Sequence, residues 1–287
     1  MLRLAGVGAL ALAALHCVGC TAPAPGDGGV LLPPEGGAFD YQLGGAYPPP
    51  PGVDIVARDR LEAPPDGVYA ICYVNLFQTQ PDAGGAADAR VEGTTAWWEQ
   101  EHPDLLLRDE GGAPVMDLEW NEALFDIRTA ASREALSEIQ SAWIEGCADA
   151  GYDAMEADNL DQHERSQGLQ TLDDALAYMR VIIPLAHGRG LAVAQKNTAE
   201  LGEAGPELGF DLAVAEECEV YDECDSYRYP SRVLEVEYTD TEDVTRDGVT
   251  RAAFEWACER RSGDHPITLR DRDLVPSGED GYVFQRC

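Results

Sequence analysis

Four polar residues within one eight-residue stretch have the types and spacing for joint chemistry. Ala154–Asp161, AMEADNLD, runs from a short apolar entry, Ala154 and Met155, into Glu156, Asp158, Asn159 and Asp161, with no basic residue among them. The pattern reads as a buried strand whose downstream end opens into a carboxylate-rich pocket. Carboxylates at such a strand end serve glycoside hydrolysis, where one acts on the sugar carbon and another carries a proton, or the coordination of hard cations. A solvated acidic loop on an acidic protein is the plain alternative, because runs of charge most often face water. The elements that would hold the stretch decide between these.

Strand-like segments recur along the chain, most of them with an acidic or amide residue at the downstream end. Phe39–Leu43 (FDYQL) carries Asp40, Val53–Ala57 leads into Asp59, and Val68–Val74 ends at Asn75. That third run, VYAICYV, is apolar throughout, as a strand buried on both faces must be. Leu124–Arg128 (LFDIR) holds Asp126 and reads as the fourth strand, with Ala154–Asp161 as the fifth. Leu191–Asn197, Leu212–Cys218 and Arg232–Tyr238 supply the sixth to eighth, with Lys196, Asn197, Glu216, Glu237 and Tyr238 near their ends. Between them, Leu136, Ile139, Trp143, Ile144 and Cys147 fall at helical spacing in Ser132–Asp149 and form a core-facing stripe. Thr171-Leu-Asp-Asp174 is a capping box that opens a helix to about His187, with Pro184 as a kink. A last helix is expected over Asp243–Cys258. The long stretch Leu76–Ala123 has no clear period and holds Trp97, Trp98 and Trp120, which suits either sugar stacking or the covering of a barrel end.

Eight strands with helices between several of them, in a chain of this length, match an α/β (β/α)8 TIM barrel, which typically takes about 250 residues. Its first units are irregular, since Gly44–Gly52 is too short and proline-rich for a helix. Downstream strand ends converge on one face of a barrel, so Asp40, Asp59, Asn75, Asp126, Asp158, Lys196, Glu216 and Glu237 are expected to share one bowl.

The chain carries 53 acidic and 20 Lys or Arg residues, a formal charge of −33. Such a surface repels nucleic acid and anionic lipid and favours cationic partners. Nineteen of the twenty basic residues are Arg, and Lys196 is the single lysine. At the N-terminus, Arg3 followed by the apolar Leu4–Leu15 reads as a signal segment over residues 1–19. The small Gly19 before Cys20 resembles a bacterial lipoprotein cleavage site, with Cys20 as the lipidated residue and a Pro/Gly-rich tether over 20–37. A single catalytic domain then spans 38–287. In an oxidising compartment the six remaining cysteines suggest three disulfides. Cys218–Cys224 is the pair favoured by proximity, Cys258–Cys287 closes the tail, and Cys72–Cys147 is left by elimination. Five scattered His residues and no CxxC after the signal segment leave no metal-ligand spacing, and no cofactor is implied.

FDYQLGG, LFDIR, YDAMEADNLD, AHGRGLAVAQKN, FDLAVAEECEVYDEC and VLEVEY stand in the order and spacing of glycoside hydrolase family 114, which the chain resembles over about residues 38–240, with a weaker echo at ITLRDRDL. The resemblance implies a TIM barrel that cleaves α-1,4-linked galactosamine polymers with two carboxylates. It implies Asp158 as nucleophile and Glu216 as acid/base, with Asp40 and Asp59 as further pocket acids and Lys196 and Asn197 in a Lys-Asn block. Asp126, Glu156, Asn159, Asp161, Glu237 and Tyr238 complete the expected substrate contacts. Two strands' separation admits either stereochemical outcome, and retention is the one expected. The family's Pro before the catalytic Asp is Ala157 here, its Asn before the Glu is Ala215, and the acid after Lys-Asn is Thr198, which bears on specificity more than on hydrolysis. A monomeric, exported endo-glycosidase for a cationic polysaccharide is the leading expectation. A surface barrel that binds amino-sugar polymers without cleaving them is the alternative, and the retained pair argues against it.

Overall fold

The computed structural model describes residues 29–82 and 89–287. The signal segment, Cys20 and residues 21–28 lie outside the described residues. In chain order the strands are β1 (Phe39–Gln42), β2 (Ile55–Asp59), β3 (Tyr69–Asn75), β4 (Met116–Asp117), β5 (Glu122–Ala123), β6 (Ala154–Asp158), β7 (Ala192–Lys196), β8 (Leu212–Glu216), β9 (Val233–Tyr238), β10 (Val244–Arg246), β11 (Val249–Arg251), β12 (Ile267–Arg270) and β13 (Phe284–Arg286). The helices that matter below are α1 (Thr95–Glu101), α2 (Ala130–Ala150), α3 (Leu172–Gly188), α4 (Ala204–Leu208), α5 (Cys218–Tyr221) and α6 (Ala253–Arg261).

One sheet, ordered β1-β2-β3-β6-β7-β8-β9-β12-β13, is parallel at every step except the last. It curls until β12 meets β1 and forms a nearly closed TIM barrel. Side chains join the seam: Thr268 Oγ1 donates to the Phe39 carbonyl at 2.7 Å, and Arg270 donates to Asp40 at 2.9 Å and to the Tyr41 carbonyl. Alternate strand residues, among them Tyr41, Ile71, Ala154, Ala194, Val214 and Val236, fill the barrel interior, while the intervening ones pack on α2 and α3. Helix α2 starts where the Thr129 side chain accepts from Ser132 N, and stops at Gly151, whose φ of 96° places it in the left-handed cap. The capping box of Thr171 and Asp174 opens α3 as its sequence requires.

The structure departs from the expected order in three places. LFDIR is not a barrel strand. Both edges of β3 are taken by β2 and β6, so no ladder position remains, and Leu124 and Phe125 make only single bridges to Gln78 and Leu106. The eighth barrel strand is instead Ile267–Arg270, which makes Val233–Tyr238 the seventh. Residues 244–251, expected to be helical, form the β10–β11 hairpin around Asp247-Gly248, both at positive φ, and the helix begins only at Ala253. In addition, residues 29–37 of the stretch read as tether pack on the barrel: Val30 is buried among the inward-facing residues, and the Leu31 carbonyl accepts from Tyr69 OH at 2.8 Å.

Three disulfides fasten the periphery, in the pairs singled out by proximity, tail closure and elimination. Cys72–Cys147 ties β3 to α2, Cys218–Cys224 brackets α5, and Cys258–Cys287 holds the C-terminus to α6.

Candidate active site

The site is built around one ammonium. Lys196, at the downstream end of β7, is 5% exposed, and its Nζ lies 2.8 Å from Asp158 Oδ1, 3.1 Å from Glu216 Oε2 and 3.1 Å from Glu156 Oε1. It also donates to Tyr41 OH at 3.0 Å. Burial would drive the proton off such an amine, but Asp158, Glu216, Tyr41 and Glu156 together hold its pKa well above the usual lysine value. The nearest oxygens of Asp158 and Glu216 are therefore separated by no more than the sum of their two contacts to Nζ.

Alternation along each strand selects which residues reach this centre. Glu156 and Asp158 both point inward from β6, Lys196 from β7, Glu216 from β8 and Tyr238 from β9, in step with the apolar residues that fill the barrel below them. Asp158 Oδ2 accepts from Tyr73 OH at 2.5 Å and from Asn159 Nδ2 at 3.0 Å. Burial alone would raise its carboxyl pKa. The Lys196 charge and hydrogen bond, the Tyr73 hydroxyl and the Asn159 N–H reverse that and hold it below the ordinary aspartate value. Glu216 accepts from Tyr238 OH and from Asn197 Nδ2 at 3.3 Å, and its backbone N–H donates to Asn197 Oδ1 at 2.9 Å. Asn159, Asn197, Thr198 and Glu217, which follow the three strands, all have φ between 44° and 62°. Backbone strain thus concentrates where β6, β7 and β8 leave the core, costing of order 1–3 kcal/mol per strained residue.

Above the centre lies a cleft of about 720 Å³. Asp59, Asp158, Asn159, Asp161, Lys196, Asn197, Glu216 and Tyr238 line it. Four expected contacts lie elsewhere. Asp40 faces outward from β1 and is fully buried, accepting from Gln42 Nε2, Tyr47 OH and Arg270, so it closes the barrel seam. Asp126 lies off the barrel in a bidentate pair with Arg128. Glu156 is fully buried beneath Lys196, out of reach of a bound sugar. Glu237 faces outward next to Tyr238, where its Oε1 accepts from Glu219 N at 3.0 Å.

Glu237 carries a consequence for stability. Burial, reinforced by the charge of Glu235, pushes its pKa up to about 9, and its Oε2 has no hydrogen-bond partner among the described residues. A carboxyl whose pKa is raised on folding stabilises the fold at low pH, and that contribution is lost as pH rises through the folded value. The wild-type melting temperature is therefore expected to fall between about pH 5 and pH 9, and Glu237→Gln to flatten that decline. Thermal scans across this range check it, and equal slopes for the two proteins would contradict it.

Several site residues carried no sequence signal. Tyr41 and Tyr73 are strand residues whose hydroxyls reach Glu156 and Asp158 on β6, contacts that a strand's own sequence cannot show. Glu122, on β5, lines the cleft and accepts from Asn75 Nδ2 at 2.9 Å. Burial and the charge of Asp158 push its pKa up to about 8. Arg165 braces one wall through Asp117 at 2.9 Å and Asp161 at 2.7 Å, and Arg272 braces the other through Glu217 at 2.7 Å and stacks over Tyr238. Of the tryptophans, Trp98 is fully buried against Phe125 and Trp143, and Trp97 packs on it, whereas Trp120 is half exposed in the cleft wall. Among the described residues, two groups have metal-ligand geometry. Cys218 and Cys224 of the first are joined in a disulfide, and the second is His163, Glu164 and Glu200 at the cleft mouth.

A family model described as glycoside-hydrolase family GH114 matches residues 21–287. Among solved structures, the crystal structure of Aspergillus fumigatus Ega3 in complex with galactosamine is similar at 20% identity and a TM-score of 0.63, covering 89% of this chain and 96% of that one. The glycoside hydrolase domain of PelA from Pseudomonas aeruginosa is similar at 14% identity and a TM-score of 0.52, covering 84% of this chain and 97% of that one. At these identities the likeness is one of fold. No curated protein matches the chain.

Proposed function

Because the chain belongs to glycoside-hydrolase family GH114 and its barrel mouth sets two carboxylates on one lysine, we propose that it is an exported endo-acting hydrolase of α-1,4-linked galactosamine or N-acetylgalactosamine polymers, working with retention. The observation that carries this reading is the single ammonium in contact with both Asp158 and Glu216. It holds the two carboxyls close together, which supports the closer spacing of double displacement over the wider one of inversion. Asp158, held ionised, attacks the anomeric carbon while Glu216 gives its proton to the leaving oxygen. A glycosyl-Asp158 ester and a shortened chain result. Glu216, now ionised, takes a proton from water, whose oxygen attacks the same carbon and frees Asp158. Lys196 balances both steps: negative charge leaves Asp158 as it appears on Glu216, and the ammonium touches each.

The electrostatics of the cleft support a cationic substrate. Twelve acidic and three basic side chains line it, and each of the three basic ones already contacts at least two carboxylates. The remaining negative field concentrates a chain of protonated amino sugars. The similar Ega3 structure, a complex with galactosamine, supports the same sugar. Three disulfides support export to an oxidising compartment.

Mass analysis of products from partially deacetylated α-1,4-galactosamine oligomers tests the reading. Internal cuts yielding oligomers of intermediate length are expected, and an untouched substrate pool with wild-type enzyme would contradict it. Trp120 and the 66%-exposed Tyr221 both line the cleft and offer aromatic faces to sugar rings. Trp120→Ala is expected to raise KM about tenfold, equivalent to ~1.4 kcal/mol of lost contact, with kcat nearly kept. Steady-state kinetics on long oligomers check this, and an unchanged KM would remove Trp120 from substrate binding.

A further inference from the structure

We propose that Glu156 is a positioning residue: its buried carboxylate holds Lys196 from below and offsets part of the ammonium's charge, so that Glu216 can keep the proton the first step requires. The proposal rests on the hydrolase reading above. Glu156 is fully buried, and its Oε1 accepts from Tyr41 OH at 2.6 Å and lies 3.1 Å from Lys196 Nζ. Tyr41 in turn accepts from Lys196 at 3.0 Å, so carboxylate, phenol and ammonium close a triangle beneath the cleft floor. The charged and titratable groups acting on Glu156 are Lys196 on β7, Asp158 two residues along β6, Tyr41 on β1 and Glu216 on β8.

The mechanism above assigns Glu156 no step, yet an acid in such a place carries a cost. Its Oε2 has no hydrogen-bond partner among the described residues, and burying it leaves two further carboxylates to share one ammonium. Its effect lies in the charge balance. With Lys196 facing only Asp158 and Glu216, the full charge of the ammonium would bear on both, which suits a nucleophile and not an acid. A third carboxylate on the side away from substrate weakens that pull on Glu216. Asp158 keeps its own hydrogen bonds from Tyr73 and Asn159 and stays ionised. Burial raises the Glu156 pKa and Lys196 opposes the rise, leaving it at about 7. Glu156 therefore changes charge near neutrality, and its ionised form above that point is the one that offsets the Lys196 ammonium.

Lys196 is the only lysine of the 287 residues, so lysine labelled with 13C at Cε reports this site through a single side-chain signal. In wild-type protein that signal is expected to titrate with an inflection near pH 7, and in Glu156→Gln to lose the inflection while remaining a sharp folded-state resonance. In activity, Glu156→Gln is expected to move the alkaline limb of the kcat/KM profile down by about one pH unit, with KM within about twofold, since Glu156 does not touch substrate. A flat wild-type curve, an inflection that survives Glu156→Gln, or a cleaving variant with an unmoved limb would each overturn the proposal. Should Glu156→Gln not fold, Glu156→Asp withdraws the carboxylate by one methylene and is expected to displace the inflection; an unmoved inflection would overturn the proposal equally. If wild-type protein cleaves nothing, the hydrolase reading falls, while the lysine titration still judges whether Glu156 sets the charge at Lys196.

Discussion

Asp158→Asn is expected to lower turnover of α-1,4-galactosamine oligomers by ~10³-fold or more while leaving oligomer affinity within a few fold. The amide keeps the shape of the carboxyl and its hydrogen bond to Tyr73, but it cannot form the ester with the sugar. Glu216→Gln should cost a similar factor on the natural polymer, yet on a galactosaminyl fluoride, whose leaving group departs without a proton, it should keep the burst of fluoride release from the first step that Asp158→Asn loses. That contrast separates the two roles. Equal losses for both variants on both substrates would leave the division between nucleophile and acid/base unsupported. Kinetics with the polymer and the fluoride, alongside calorimetric binding to the inactive variants, provide the comparison.

The second large effect belongs to Lys196. Lys196→Met leaves Asp158, Glu156 and Glu216 around an apolar side chain where an ammonium touched all three. Removing one partner from a buried ion cluster typically costs 3–5 kcal/mol, which for a domain of this size lowers the melting temperature by about 10 °C. Activity is expected to fall at least ~10²-fold at neutral pH, because Asp158 loses the charge that most opposes its burial and then holds a proton. The residual activity should rise toward alkaline pH, where Asp158 ionises unaided. Thermal melts and a pH profile of the variant check both parts. A variant that melts with wild type and keeps its pH profile would show that the contacts of Lys196 carry neither stability nor catalysis.

Much of this was legible in the sequence, and what was not has physical reasons. The DN of β6 and the KN of β7 mark places where a strand ends in a left-handed turn, and Asn is among the residues best suited to that backbone. Asp158 and Lys196 of the centre stand immediately before these turns. The apolar strands and the α2 and α3 stripes and caps located the barrel. LFDIR misled because an apolar pentapeptide carries no record of whether a ladder position is free beside β3. The D-G of the β10–β11 hairpin, in VTRDGVTR, was the signal that should have displaced the expected helix there. Asp40 and Glu237 were misplaced for one shared reason: each is next to the inward-facing residue, Tyr41 or Tyr238, and a one-residue shift along a strand reverses the face. Glu122 and Arg165 come from the segments that connect barrel strands, Glu122 from the short β4–β5 pair, and no local pattern foretells which of these residues fold over a barrel mouth. The single lysine stands out by its rarity, its strand end and its Lys-Asn block; that three carboxylates meet on it is a fact of tertiary structure.

The most direct test of the account is peptide mass spectrometry of Glu216→Gln protein incubated with a galactosaminyl fluoride. The fluoride permits the first step, and the missing base stalls the second, so a glycosyl adduct is expected to accumulate on the peptide that contains Asp158. An adduct on any other carboxylate, or no adduct with release of a product of inverted configuration, would contradict the assignment of Asp158 as nucleophile in a retaining mechanism.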